Sequence, residues 1–129
     1  MPDTKALTHI TDLRTVGVPV AAQDEALEFY LEKLCFETRL DLRYGEGERW
    51  IEVAPSGAAT TIALVRRSAG EPVGVDTGIR LTSDDVAADH ARLRALGVDV
   101  DSEVMTYPIP MFTFRDADGN RLVIVGQEG

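Results

Sequence analysis

Apolar and polar positions alternate along this chain in ten segments, and the period of alternation changes from one to the next. From Arg14 to Val20 the sequence RTVGVPV sets Val16, Val18 and Val20 on one side and Thr15 and Gly17 on the other. That period of two predicts a strand. Over Gln23–Leu34 the period lengthens: Leu27, Tyr30, Leu31 and Leu34 fall at i, i+3, i+4 and i+7 and form the apolar stripe of a helix. Asp24 and Glu25 suit its positive N-terminal end. Strands are predicted next at Phe36–Tyr44, Arg49–Ala54 and Thr60–Val65. The connections Gly45-Glu46-Gly47-Glu48 and Pro55-Ser56-Gly57-Ala58 have the length and glycines of hairpin loops.

The same order then returns. After a linker-like stretch, RRSAGEPVGVDT, the pattern predicts a strand at Gly78–Ser83 and a helix at Asp84–Leu96. Asp84 or Asp85 would cap this helix and Gly97 would stop it. Three further strands follow at Val98–Thr106, Met111–Phe114 and Arg121–Val125. Two halves of one plan, with a repeat of roughly 60 residues, imply an α+β fold with both helices on one side of the sheets. The other sheet face is then free to curl around a cavity. The expected organisation is one domain over 1–129, with module one at about 13–65, a linker at 66–77 and module two at about 78–127.

Composition narrows the setting. The chain has 129 residues, 44% of them hydrophobic, in keeping with a soluble globular domain. No apolar run approaches the ~20 residues of a membrane span. The opening Met-Pro-Asp-Thr-Lys-Ala has neither the basic nor the apolar region of a signal peptide. The single cysteine, Cys35, excludes an internal disulfide and fits a reducing cytoplasm. The formal net charge of −9 is spread along the chain, which weighs against nucleic acid as a partner and suits a cationic guest.

Three stretches carry a family resemblance. VGVPVAAQDEALEFYLEKLCFE has Ala26, Phe29-Tyr30 and Leu34-Cys35-Phe36; TGIRLTSDDVAADHARLRALGVDV joins a strand to a helix with an acidic start; FRDADGNRLVIV is a closing hairpin. Together, in this order and spacing, they resemble vicinal oxygen chelate proteins, the superfamily of glyoxalase, bleomycin-resistance and extradiol-dioxygenase domains. Cys35 stands where the family usually has glycine, and Ala117 where it has proline. The resemblance implies two βαβββ modules forming a half-open curved sheet, and a homodimer.

It also implies where a metal would be held. The four ligand positions of metal-using members fall at Thr15, Ala63, Gly78 and Val123. A divalent ion needs imidazole, carboxylate or thiolate donors, and these residues supply at most one hydroxyl. The turn Asp116-Ala117-Asp118-Gly119-Asn120 is no substitute. As an EF-hand loop it would place Arg121 where glycine is required and Gln127 where glutamate is required. No metal and no cofactor is therefore expected.

Strand parity selects the residues of an organic pocket. Thr15 faces the cavity if the valines of its strand pack under the first helix, and Arg80 does so if Ile79 and Leu81 pack under the second. Val123 lies on the concave side by the same rule. A buried Arg80 would need a partner, either Glu52 or a ligand carboxylate or phenolate. Trp50, Tyr107, Met111, Phe112 and Phe114 supply surfaces for a flat guest, although alternation leaves open which of them face the core. Pro108 and Pro110 stiffen a loop at the lip. His90 reads as a partly covered helix residue and His9 as part of the lead-in. The leading expectation is a metal-free binding protein for a small cationic or aromatic molecule, in the manner of bleomycin-resistance proteins. The alternatives are a metal-dependent lyase, isomerase or dioxygenase, or acid–base catalysis by Glu52 with Arg80.

Overall fold

A computed structural model describes residues 7–127. The opening residues 1–6, on which the signal-peptide reading rests, lie outside the described residues. The described residues form eight strands and two helices: β1 Thr15–Val20, α1 Gln23–Glu32, β2 Glu37–Tyr44, β3 Glu48–Ala54, β4 Thr61–Arg66, β5 Asp76–Ser83, α2 Val86–Ala95, β6 Asp99–Val100, β7 Met111–Arg115 and β8 Arg121–Gly126. They build two four-stranded mixed sheets, in the orders β1-β4-β3-β2 and β5-β8-β7-β6. In each the first strand runs parallel to the last, and the remaining pairs are antiparallel. The fold is thus α+β with two βαβββ modules, as the repeated pattern predicts.

Parity decides which side chains are buried. Val18 and Val20 of β1 join Ala26 and Tyr30 of α1 in the core, and Leu122 and Ile124 of β8 join Val86 and Leu93 of α2. All belong to one buried cluster, so a single core serves both modules. The helix ends are built locally. The Asp85 side chain accepts the Ala88 amide at 3.0 Å and caps α2. At its other end Val98 N–H donates to Leu93 O and Gly97 N–H to Arg94 O, with Gly97 at φ +84°, the paired closure that favours glycine. After α1 the corresponding left-handed residue is Cys35, at φ +60°.

One predicted strand is largely lost. In place of Val98–Thr106 only Asp99–Val100 is regular. The Asp101 amide still donates to Thr113 O on β7 at 3.0 Å, but the ladder stops there, because His90 takes the Asp101 carbonyl at 2.6 Å and the Asp101 carboxylate takes the Arg115 guanidinium at 2.9 Å. Pairing with β7 resumes only at Met105, opposite Met111.

The acidic turn between β7 and β8 is a clasp between modules. The Asp116 carboxylate accepts the amides of Asp118 and Asn120, the Asn120 side chain and, at 2.7 Å, the hydroxyl of Tyr30 on α1. Asn120, fully buried, accepts the amides of Gly74 and Val75 in the linker and donates to Pro19 O on β1. Asp118 accepts the Ala21 amide at 3.0 Å. Burial, then the Asp116 charge, raises the Tyr30 hydroxyl far above its ordinary pKa, so it remains a donor. No described helix is long and apolar enough to cross a membrane.

Candidate functional site

A cavity of about 630 Å³ lies between the modules. One wall comes from Leu13, Val16, the β3–β4 connection and the start of β4, the other from β5 between Thr77 and Thr82. Val16, Ile62, Ile79 and Leu81 make it largely apolar. A second cavity, about 360 Å³, lies on the face of sheet two that Arg80, Thr113, Arg121 and Val123 share. Thr77, Gly78 and Arg80 line both.

The corresponding face of sheet one is organised around Glu52, which is 3% exposed. Its Oε2 accepts the Trp50 indole N–H at 2.8 Å and the Arg14 Nε–H at 3.3 Å, and its Oε1 accepts the Thr61 hydroxyl at 3.0 Å. Thr61 and Thr15 are register partners, and their hydroxyls lie 2.8 Å apart. Burial pushes the Glu52 carboxyl upward, but the bonds from Trp50, Thr61 and Arg14 outweigh it and hold the pKa below the ordinary glutamate range. A carboxylate so held is a weak proton acceptor at neutral pH.

The structure sorts the predicted site residues into three groups. Arg80 and Val123 stand together on sheet two as register partners and line the smaller cavity. Thr15, Trp50 and Glu52 form the hydrogen-bonded group on sheet one. Phe112 and Phe114 take the core side of β7, at 1% and 0% exposure, and the Phe112 ring meets His90 edge-on, so neither is a pocket wall. Met111 is half-buried beside Met105, and Tyr107 projects at 83% exposure from the loop before β7. Of the two partners considered for a buried Arg80, Glu52 does not pair with it. Arg80 is exposed and donates to Gly78 O at 3.1 Å, while Glu52 takes Arg14. Arg14, Thr61 and Thr113 were not in the predicted set. The register of Glu52 with Ala63 would have found Thr61 two residues away on the same face, and Thr113 is the polar residue between two core phenylalanines.

A divalent metal does not fit the four positions of the resemblance. Thr15 already donates its hydroxyl to Thr61 O, and Ala63, Gly78 and Val123 carry no donor side chain. Among the described residues no three His, Cys, Asp or Glu side chains come together as a metal group.

Comparison with known proteins agrees with this architecture. Residues 6–124 match the profile of the Glyoxalase/Bleomycin resistance protein/Dioxygenase superfamily, and the chain belongs to that superfamily. It is similar to a crystal structure of a member from Sphaerobacter thermophilus DSM 20745, with TM-score 0.87 and 29% identity over 93% of this chain and 100% of the other. It is similar also to TnmS3, an antibiotic binding protein from Streptomyces sp. CB03234, with TM-score 0.81 and 36% identity over 94% and 99%. An uncharacterized protein from Bacillus subtilis (strain 168), YetH, is 28% identical over 113 residues, 86% of this chain and 94% of its own.

Proposed function

We propose that this chain binds a small, flat organic molecule in the crevice between its modules and holds it unaltered, acting as a homodimer. The observation that carries this reading is the 630 Å³ apolar crevice, a volume suited to a multi-ring compound. A relative of the same fold, 36% identical, is an antibiotic binding protein, which supports a guest of that kind. Glu52 is assigned to holding Trp50 and the sheet face rather than to proton transfer, because its oxygens are engaged and its pKa is low. The exposed thiol of Cys35 suits a reducing compartment, so we place the protein in the cytoplasm.

The test is a thermal-shift and calorimetry screen of aromatic antibiotics, with mass spectrometry of the recovered compound. A binder should saturate and raise Tm by mass action, by about 2.7 kcal/mol of stability at a hundredfold excess over Kd. It should be recovered unchanged. Recovery of a modified compound would replace this reading with an enzymatic one, and a screen without a single saturable binder would overturn it. Sedimentation at micromolar concentration should give a dimer, and Mn²⁺, Fe²⁺, Co²⁺, Ni²⁺ or Zn²⁺ should leave Tm in place.

A further inference from the structure

The net charge of −9 points to a cationic guest, yet the walls of the cavities carry the opposite sign. Arg80 stands on β5 where the two cavities meet, and Arg121 stands on neighbouring β8, on the smaller cavity. Both are exposed, and among the described residues neither lies within ion-pair distance of a carboxylate. The carboxylate on this wall, Asp76, accepts the Gly78 amide at 3.2 Å instead. Arg115, opposite Arg121 in the register, differs: it is paired with Asp99 and Asp101. A guanidinium at the apolar crevice, with a second on the smaller cavity that adjoins it, matches a carboxylate, sulfonate or phenolate on an apolar body.

Resting on the small-molecule reading above, we propose that the guest is an aromatic or apolar molecule carrying one anionic group. Its body lies in the crevice against Val16, Ile62, Ile79 and Leu81, and its anion meets Arg80, with Arg121 as the second donor. Gly78, at φ +74°, lines both cavities beside Arg80, and no atom lies within 4 Å of the place its Cβ would occupy.

Two matched dyes test this: 8-anilinonaphthalene-1-sulfonate, and N-phenyl-1-naphthylamine, which has the same rings without the sulfonate. Both are titrated by fluorescence at 150 mM salt, where long-range attraction is screened. The wild-type protein should bind the sulfonate at least tenfold more tightly than the neutral dye. In Arg80→Gln this preference should fall at least fivefold, and in Arg80→Gln/Arg121→Gln it should vanish. Arg94→Gln, an equal charge change on exposed α2, should leave the preference as it is. Saturable binding of the neutral dye with no preference, or a preference that survives the double variant, overturns the anionic guest while leaving a small-molecule site standing. Saturable binding of neither dye overturns the anionic guest, and the small-molecule reading falls with it if the antibiotic screen also yields no saturable binder.

Discussion

Glu52 in module one is a buried charge with both oxygens met by donors, whereas Arg80 and Arg121 in module two are exposed charges that, among the described residues, form no ion pair, although Asp76 stands opposite Arg121 in the register. The two faces occupy equivalent places in equivalent sheets: Glu52 on β3 pairs with Ala63 of β4, and Thr113 on β7 pairs with Val123 of β8. Topology therefore does not make the difference; side chains do. A polar group whose partners lie within the chain holds the structure together, because losing a partner leaves a desolvated atom behind. A polar group left free at a cavity wall costs little in the folded state and can act on a guest. The inter-strand turns divide in the same way. The β3–β4 connection lines the crevice, while the β7–β8 turn is spent on the clasp to Tyr30, Pro19 and the linker.

The largest effect expected is at the clasp. Asp116→Ala removes an acceptor shared by two backbone amides, the Tyr30 hydroxyl and the Asn120 side chain. Stranding buried donors of this number should cost about 3–4 kcal/mol in urea unfolding. Tyr30→Phe, which removes only one donor, should cost about 1–2 kcal/mol. If Asp116→Ala cost no more than Tyr30→Phe, the turn would be an ordinary hairpin and not a join between modules.

Glu52 comes next. Glu52→Gln keeps the shape but loses the charge that draws Trp50, Thr61 and Arg14 together, at a cost of about 1–2 kcal/mol at pH 7. The pH dependence has a fixed sign. The folded pKa is below the ordinary value of 4.5, so the carboxylate's contribution is fully present above pH 4.5. It is lost as pH falls through the folded value. The difference in stability between wild type and Glu52→Gln should therefore shrink on acidification below pH 4.5 and stay level above it. A difference that grew on acidification would refute a depressed pKa.

Much of the fold was legible because burial enforces period. Val18, Val20, Leu122 and Ile124 sit where alternation puts them, and the repeat of ten segments gives the two modules. The failure at Val98–Thr106 is equally physical. Alternation cannot register that His90 takes the Asp101 carbonyl, so that the ladder with β7 ends at the Asp101 amide. At the site, parity placed Arg80 and Val123 on one face, but it could not choose between alternating aromatics, and Phe112 and Phe114 went to the core. Nor can a sequence show that Arg14, outside any strand, reaches Glu52 before Arg80 does. The glycine-to-cysteine departure, by contrast, was visible and has a measurable consequence. Cys35 sits at φ +60°, a region that costs an L-residue about 1–2 kcal/mol and glycine very little. Part of that gain is offset by the greater freedom of glycine in the unfolded chain, so Cys35→Gly should raise stability by about 0.5–1 kcal/mol.

The smallest expected effect is the most informative for function. Arg80→Gln should change the unfolding free energy by less than about 0.5 kcal/mol, since the guanidinium is exposed and its single bond goes to the nearby Gly78 carbonyl. Arg121→Gln should behave likewise. Measured beside Glu52→Gln in one set of urea curves, these variants test whether the two sheet faces differ as argued. A cost above about 1 kcal/mol at Arg80 would mean that its charge is engaged in holding the sheet, as Arg115 is by Asp99 and Asp101. Such a guanidinium would have less to offer a guest, and loss of dye binding in Arg80→Gln could then be traced to a disturbed β5 instead of a missing contact. Near-neutral stability combined with a lost preference for the sulfonate leaves only the contact as the cause.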